Sequence, residues 1–160
     1  MNMTTLSVFD QIRALLDNNG ARYRTVTHAP TFTCEESAAA RGEEMKIGGK
    51  ALLMKADEDF ILMVLAADQK LDSKKVKQLL ACKKLRFASK EELLDATTLV
   101  PGSVPPFGQP VFKFPLHVDA ALLENTKIAF NAGSLTNSII LDMEDYKRIA
   151  RPLVSTFTAQ

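Results

Sequence analysis

Residues 50–65, KALLMKADEDFILMVL, contain two apolar runs separated by a short acidic segment. The runs 50–55 and 60–65 have the length and composition of strands, and the segment 56–59 between them has the composition of a turn. We therefore predict a β-hairpin with two largely buried strands. Because the strands of a hairpin are antiparallel, at least part of the sheet must be antiparallel.

Helix signals lie on both sides of this hairpin. An apolar stripe predicts a helix over residues 5–19 that ends at Gly20, and Thr33 followed by Glu36 predicts the start of a second helix. Further helices are predicted over residues 73–80, after the capping pair Ser89 and Glu92, and over residues 143–151; in the first of these, Val76, Leu79 and Leu80 are expected to face the core. Strands are predicted at residues 22–26, 85–88, 111–114, 127–131 and 138–142.

The alternation of helices and strands defines the fold class. With a hairpin present, the sheet should be mixed rather than purely parallel. The 160 residues contain no internal repeat, low-complexity linker or break in composition, and the length suits one domain. We predict an α/β protein in which residues 1–160 form a single compact domain with a mixed sheet and flanking helices.

Composition narrows the functional classes. A hydrophobic content of 46% and a charged content of 24% are typical of a soluble globular protein. The longest apolar run, residues 60–67, is far shorter than the roughly 20 residues that cross a bilayer. The N-terminal residues lack the basic start and apolar stretch of a signal peptide. We expect a cytoplasmic protein without a membrane partner.

Charge is distributed unevenly along the chain. The net charge of +1 excludes a strongly basic nucleic-acid binder, and DNA is not an expected partner. Residues 70–90, however, carry eight cations against a single carboxylate, Asp72. A polyanion can bind such a segment through its phosphates, and a solvated helix face has the same composition. The six lysines that would bind RNA are Lys70, Lys74, Lys75, Lys77, Lys83 and Lys84.

Familiar catalytic motifs are missing from the sequence. His28 and His117 have no ligand spacing to another histidine or cysteine, so neither a metal site nor a cofactor is expected. There is no nucleophile elbow, phosphate loop or dinucleotide fingerprint. Cys34 and His28 could form a thiol–imidazole pair, or Cys34 could simply pack as a small apolar residue.

Residues 100–110, VPGSVPPFGQP, form the most unusual segment. Four prolines and two glycines exclude a helix or a central strand. The backbone amides near Gly102 and Gly108 are not screened by side chains and can bind the oxyanion that forms when water attacks an ester. The alternative is a loop that only connects a helix to a strand.

Two further segments have the composition of a binding site. Lys50 follows two glycines at the start of a predicted buried strand, where its ammonium group can enter a pocket while its stem packs on the sheet; an ordinary solvent-facing lysine is the alternative. Residues 131–134, NAGS, end another strand with small side chains and would let a ligand approach the backbone.

Taken together, these segments resemble the YbaK/prolyl-tRNA-synthetase-associated domain family, over nearly the whole chain. The most specific element is the Gly-x-x-x-Pro-Phe-Gly pattern of residues 102–108, with the strand lysine upstream. The other matching segments are residues 28–30 (HAP), 33–38 (TCEESA), 50–52 (KAL), 64–72 (VLAADQKLD), 85–92 (LRFASKEE) and 131–134.

The resemblance implies a partly barrel-like fold and hydrolysis, in trans, of the ester that joins a wrong amino acid to tRNA, without a protein nucleophile. The implied catalytic residues are Lys50, Gly102 and Pro106: the loop would hold the substrate carbonyl or the attacking water, Lys50 would anchor the 3′-terminal adenosine or its phosphate, and a terminal ribose hydroxyl would help to activate water. The implied substrate-binding residues are His28, Pro30, Phe32, Phe107, Gly108, Asn131, Ala132, Gly133 and Ser134.

Several readings of this function remain open. Ala29 stands where many family members have proline, and residues 66–68 (AAD) replace a segment that usually contains proline, which leaves alanine, cysteine, serine and threonine open as substrates. The expected partners are the acceptor end of an aminoacyl-tRNA and an aminoacyl-tRNA synthetase. The alternatives are a non-catalytic module that binds tRNA or a nucleotide, and a small-molecule esterase that uses Cys34.

Overall fold

Five α-helices and eight β-strands alternate along residues 6–159, the part of the chain that the computed structural model describes. The helices are α1 (Val8–Asn18), α2 (Cys34–Arg41), α3 (Ser73–Leu80), α4 (Lys90–Thr97) and α5 (Met143–Ala150). The strands are β1 (Tyr23–Thr27), β2 (Gly49–Ala56), β3 (Asp59–Ala66), β4 (Leu85–Phe87), β5 (Leu116–Asp119), β6 (Lys127–Asn131), β7 (Asn137–Asp142) and β8 (Leu153–Ser155).

The strands form two sheets within one α/β domain. The larger has the order β4-β2-β3-β5-β8, and it is mixed as predicted, because β2 is antiparallel to β3 and β4 whereas β5 is parallel to β3 and β8. The smaller, β1-β7-β6, is antiparallel. A single parallel bridge between Gly48 and Ala129 connects the start of β2 to β6, and therefore the two sheets.

The predicted hairpin is confirmed as the pair β2 and β3. Leu53 lies opposite Leu62, and the pairing ends at Ala56 and Asp59, so that the turn consists of Asp57 and Glu58. Asp57 accepts hydrogen bonds from the backbone nitrogens of Lys83 and Lys84, at 3.1 and 2.9 Å. The turn thereby holds the start of β4 against the hairpin.

The proline-rich loop is anchored in the hydrophobic core. Phe107 is fully buried and packs edge-on against Phe130 and Tyr146, with ring centroids 5.6 and 5.5 Å apart. The Tyr146 hydroxyl donates a hydrogen bond of 2.7 Å to the carbonyl oxygen of Pro106. Helix α5 therefore fixes one end of the loop, and at the other end residues 101 and 102 are exposed whereas Ser103 and Val104 are buried.

Most predicted helix ends are confirmed. Thr33 caps α2 by accepting from the backbone nitrogen of Glu36, Ser89 and Glu92 form a complete capping box on α4, and α3 has its predicted bounds. Gly20 follows α1 with a φ of +63°. The predicted start of the first helix, Thr5, lies outside the described residues. None of the described helices has the length and apolar character that crossing a membrane requires.

Three predictions about the secondary structure are wrong or incomplete. Residues 111–114 do not form a strand, because the carbonyl oxygen of Gly108 accepts from the nitrogens of both Val111 and Phe112, which makes a turn. Leu79 does not face the core but is 41% exposed, since α3 packs through Val76. Strands β5 and β8 were not predicted; they are only four and three residues long.

Candidate active site

A pocket of about 250 Å³ opens where the two sheets meet. Segments that are distant in sequence form its walls: residues between 31 and 45 in and around α2, residues 48–52 at the start of β2, Ala67 just after β3, Pro101, Gly102 and Val104 of the proline-rich loop, and Asn131 at the end of β6. Two cations, Arg41 and Lys50, line the pocket, and none of the described residues that line it is an aspartate or glutamate. The pocket is therefore electropositive.

Lys50 lies at the start of β2, as predicted. Its side chain is half-buried, and its Nζ donates a hydrogen bond of 2.5 Å to the backbone oxygen of Gln69. A Cβ atom on Gly49 would lie 2.8 Å from Cδ1 of Ile128, and one on Gly48 would lie 3.0 Å from Cβ of Ala67. The two glycines therefore allow β2 to approach the neighbouring strands closely beside the pocket.

Arg41 is the pocket residue that the sequence analysis missed. It is only 9% exposed, and it forms no ion pair with any carboxylate in residues 6–159. Its Nε donates to Oγ of Ser138 at 2.9 Å, and its Nη2 donates to Oδ1 of Asn131 at 3.1 Å. Burial lowers the pKa of Arg41 from 12.5 to about 10, so the guanidinium remains protonated at neutral pH.

The proline-rich loop reaches the pocket at Gly102. This residue has a φ of +88°, a conformation that glycine adopts without strain, and its carbonyl oxygen accepts a 2.8 Å hydrogen bond from Nδ2 of Asn131. The Gly133 nitrogen donates to the Ser103 oxygen at 2.8 Å. The N–H groups of Gly102 and Val104 donate to no other group in the described part of the chain. Both residues line the pocket, so these two amides can bind a ligand oxygen.

A chain of polar side chains lies behind the pocket. Ser138 Oγ contacts Arg41, Oδ1 of Asn131 at 3.1 Å and Nε2 of His28 at 2.8 Å. The other ring nitrogen of His28, Nδ1, lies 2.8 Å from the carbonyl oxygen of Ala29, which only accepts, so Nδ1 carries a proton. Both ring nitrogens of His28 are thus engaged by groups other than Cys34, although Cys34 lines the pocket.

The structure brings only part of the predicted site together. Lys50, Gly102, Phe32 and Asn131 line the pocket, and Phe32 is 76% exposed. The other predicted residues lie outside the pocket lining. His28 lies behind the pocket, Pro30 on the surface, and Pro106, Phe107 and Ala132 in the core. Gly108 lines a second depression beside Arg148, and Gly133 and Ser134 lie in the turn between β6 and β7.

The predicted RNA-binding lysines begin at the edge of the pocket. Lys70 directly follows Gln69, the residue that accepts the hydrogen bond from Lys50. Lys70, Lys74, Lys77, Lys83 and Lys84 are exposed, whereas Lys75 donates to the backbone oxygen of Thr158 at 2.8 Å. In the described residues, no group of three histidine, cysteine, aspartate or glutamate side chains is arranged to hold a metal ion.

Sequence comparison identifies relatives along most of the chain. The chain is 38% identical over 150 residues to the multifunctional Ser/Thr-tRNA deacylase ProXp-y of Escherichia coli, a match that spans 90% of this chain and 89% of the relative. It is 27% identical over 151 residues to the prolyl-tRNA editing protein ProX of Acetoanaerobium sticklandii, covering 91% and 92% of the two chains. A shorter match, 40% over 82 residues, covers 51% of this chain and 14% of the proline–tRNA ligase of Bacillus licheniformis.

Comparison of folds agrees with the sequence matches. A crystal structure of a chain proposed as a trans-editing enzyme for prolyl tRNA synthetase superimposes with a TM-score of 0.82 at 22% identity, covering 98% of this chain and all of the other. The profile of the aminoacyl-tRNA editing domain matches residues 28–149, which include α2, the pocket and the proline-rich loop. The chain therefore belongs to the aminoacyl-tRNA editing domain family.

Proposed function

We propose that this protein is a free-standing deacylase that hydrolyses, in trans, the ester of a tRNA charged with a wrong small amino acid. Alanine, cysteine, serine and threonine are the candidate amino acids. The reaction corrects errors that an apolar synthetase pocket cannot avoid, because one methylene contributes only about 1–3 kcal/mol to discrimination. The relative in Escherichia coli is named for deacylation of Ser- and Thr-tRNA, which supports this substrate class.

The observation that carries the proposal is the pocket itself. Its volume of about 250 Å³ suits the aminoacyl end of a tRNA, and its two cations stand without a lining carboxylate among the described residues. A substrate attached to a polyanion, and a reaction that develops negative charge on oxygen, both match an electropositive cavity.

The roles of the pocket residues follow from their positions. The amides of Gly102 and Val104 would bind the carbonyl oxygen of the ester, since no other described group accepts from them. Lys50 would bind the terminal adenosine or its phosphate at the mouth of the pocket. With the ester already activated, a ribose hydroxyl of the terminal nucleotide would help to position the water and relay its proton to the leaving ribose oxygen, and no protein nucleophile is needed.

The lysine-rich segment that starts beside the pocket would bind the acceptor stem. Its first exposed cation, Lys70, follows Gln69 directly, so an RNA whose end occupies the pocket would reach this segment there. The match to a segment of a proline–tRNA ligase supports a synthetase as a second partner, and the cytoplasm as the place of the reaction.

A thiol mechanism is the competing candidate, because Cys34 lines the pocket. The histidine that could deprotonate the thiol, His28, is directed at Ser138 and Ala29 instead. The pocket geometry therefore favours attack by water over attack by Cys34.

The test is a panel of alanyl-, cysteinyl-, seryl- and threonyl-tRNA incubated with the purified protein in catalytic amounts. We expect several turnovers on at least one of them, measured as loss of the ester-linked amino acid. Retention of the charged tRNA on a filter without hydrolysis would instead assign the chain to the class of non-catalytic tRNA-binding modules.

A further inference from the structure

The buried guanidinium of Arg41 has a charge that its surroundings do not balance. The oxygens that accept its hydrogen bonds are neutral, and no described carboxylate pairs with it. Among the described residues, the one titratable side chain that interacts electrostatically with it is that of Cys34, which also lines the pocket. Removing a charged group from water without a counter-charge is costly. The hydrogen bonds to Ser138 and Asn131 join α2 to β6 and β7, but hydrogen bonding alone does not require a full charge at this position.

The hydrogen bonds of Arg41 leave donors free at the pocket. A guanidinium has five N–H donors. One on Nε binds Ser138 and one on Nη2 binds Asn131, so three donate to no described group. Nη1 carries two of these three, and a Cβ on Gly48 in the pocket wall would lie only 3.5 Å from it. Nη1 therefore lies beside this wall of the pocket.

Asn131 fixes Arg41 relative to the proline-rich loop. Its Oδ1 accepts from Arg41, and its Nδ2 donates to the Gly102 oxygen at 2.8 Å. A single amide group therefore separates the guanidinium from Gly102, whose own N–H is free at the pocket. A carbonyl oxygen bound by the loop amides would lie beside the guanidinium.

We infer that Arg41 is a catalytic residue of the proposed deacylation: its free N–H groups bind the ester carbonyl oxygen and stabilise the negative charge on it in the tetrahedral intermediate. This inference rests on the proposed function. The oxygen of water bonds to the acyl carbon, and the carbonyl π electrons move to the oxygen beside Arg41. As the intermediate collapses, the ester C–O bond breaks and the ribose oxygen takes up the proton lost by the water. The products are the free amino acid and a tRNA with an intact terminal hydroxyl.

The charge of Arg41 stabilises the developing negative charge on the carbonyl oxygen strongly because the site is buried. An ion interacts more strongly with a developing charge where water is excluded, and a donor that is already oriented needs no reorganisation during the reaction. Ser138 and Asn131 hold two edges of the guanidinium, so its remaining donors are fixed in direction. Asn131 is a positioning residue in this scheme, since it acts through Arg41 and Gly102.

The test compares Arg41→Gln and Arg41→Lys with Arg24→Gln as the matched control. Arg24 is an exposed arginine outside the pocket. It donates a hydrogen bond to the backbone oxygen of Arg41 and forms an ion pair with Glu43. Removing one oxyanion donor typically slows a reaction about 10²–10³-fold. Under single-turnover conditions we expect Arg41→Gln to lose at least about 100-fold in the hydrolysis rate, Arg41→Lys to lose less, and Arg24→Gln to match the wild type. The Kd for uncharged tRNA should change by less than about twofold in all three, because uncharged tRNA has no ester carbonyl.

A second arm separates catalysis from folding. Arg41→Ala leaves a cavity, and added guanidinium chloride at millimolar concentration should restore part of its rate while leaving Lys50→Ala unchanged. An Arg41→Gln protein that hydrolyses at the wild-type rate overturns the inference. An Arg41→Gln protein that binds uncharged tRNA weakly but hydrolyses bound substrate at the wild-type rate also overturns it, because Arg41 would then bind a phosphate of the tRNA. If Arg41→Gln does not fold, the rates of Arg41→Lys and of the guanidinium-treated Arg41→Ala decide. A wild-type protein that deacylates none of the four aminoacyl-tRNAs would overturn the proposed function itself. That outcome differs from the others because it is seen without any substitution at Arg41.

Discussion

Asn131 holds the Gly102 carbonyl oxygen with a hydrogen bond of 2.8 Å from its side-chain nitrogen, so the last residue of β6 sets the orientation of the proline-rich loop. The N–H of the same peptide unit, that of Ser103, points the opposite way and donates to the Val100 oxygen at 3.2 Å. Gly102 reaches this orientation with a φ of +88°, and a Cβ atom there would meet only Cδ2 of Leu135, at 3.6 Å. The requirement at position 102 is therefore one of backbone conformation and not of space.

We expect Gly102→Ala to reduce the single-turnover rate by about 10²–10³-fold, because a strained or displaced loop loses an oxyanion donor. The control is Gly20→Ala, which imposes the same kind of strain at a φ of +63°, with open space around the Cβ and outside the pocket. Both variants should lose about 1 kcal/mol of stability, measured by urea unfolding. Equal rates for the two variants would contradict a catalytic role for the loop.

Lys50→Ala should remove most of the deacylase activity while leaving the melting temperature nearly unchanged, since the side chain makes one hydrogen bond, to the Gln69 oxygen. The physical reason is the loss of the cation at the mouth of the pocket. Lys55→Ala is the matched control on the same strand, because Lys55 lies over the ring of Phe60 and not in the pocket. Full activity of purified Lys50→Ala would exclude Lys50 from the site.

Cys34→Ser should retain a rate near that of the wild type, because no ring nitrogen of His28 is directed at the thiol. Rates under single-turnover conditions, so that product release does not mask the chemical step, are the measurement. An inactive Cys34→Ser together with an active Gly102→Ala would establish the thiol mechanism in place of the one proposed here.

Charge reversal at Lys74 and Lys77 should weaken tRNA binding and flatten its dependence on salt concentration, since each lost phosphate contact lowers the slope by about one. Both lysines lie exposed on α3, and Lys75 between them is best left intact because it bonds the backbone of Thr158. The double variant Lys113→Glu and Lys147→Glu applies the same charge change away from this segment. An unchanged salt slope in the α3 variant would make the segment an ordinary solvated surface.

The environment of Asp145 predicts that the stability of the fold decreases in a defined acidic pH range. The backbone N–H of Arg22 and the side chains of Arg148 and Arg22 lower the pKa of Asp145 from 3.8 to about 2. A carboxyl with a lowered folded-state pKa stabilises the fold above its unfolded pKa, and this contribution disappears as the pH falls from about 4 to about 2. Asp145→Asn should therefore unfold at a lower temperature than the wild type at pH 7, with the difference narrowing towards pH 2. A difference that stays constant between pH 7 and pH 2 would contradict this account.

Local signals in the sequence were sufficient for the hairpin and for the helix caps. The capping pair Ser89 and Glu92 and the acidic turn after β2 depend on neighbouring residues only, and both lie where they were predicted. Residues 111–114 look like a strand by composition, yet the backbone nitrogens of Val111 and Phe112 donate to the Gly108 oxygen in a turn. Short strands such as β8 exist because β5 offers a free edge, and nothing within three residues can indicate that.

The sequence predicted the site residues whose positions depend on local backbone conformation. It did not predict those whose positions depend on burial in the folded chain. Gly102 and Lys50 follow from glycine and strand patterns, and they line one pocket. Arg41 stands in the last turn of a helix, where a basic residue ordinarily faces solvent and complements the helix dipole. Its burial is set by β6 and β7, roughly 90 residues further along the chain. Phe107 belongs to the same motif as Gly102, but its ring packs in the core.

The close approach of the two sheets at the bridge between Gly48 and Ala129 limits which walls of the pocket can change by substitution. On the side of the sheets, a methyl group on Gly48 or Gly49 would press on the side chains of Ala67 and Ile128, so substitution there requires the neighbouring residues to move. The opposite wall is built from short side chains on or beside α2, among them Thr31 and Ala38. Enlarging or shrinking those side chains alters the volume available to an amino acid without disturbing either sheet. Substrate range can thus drift by single substitutions on one wall, while the other wall and the reaction centre stay the same.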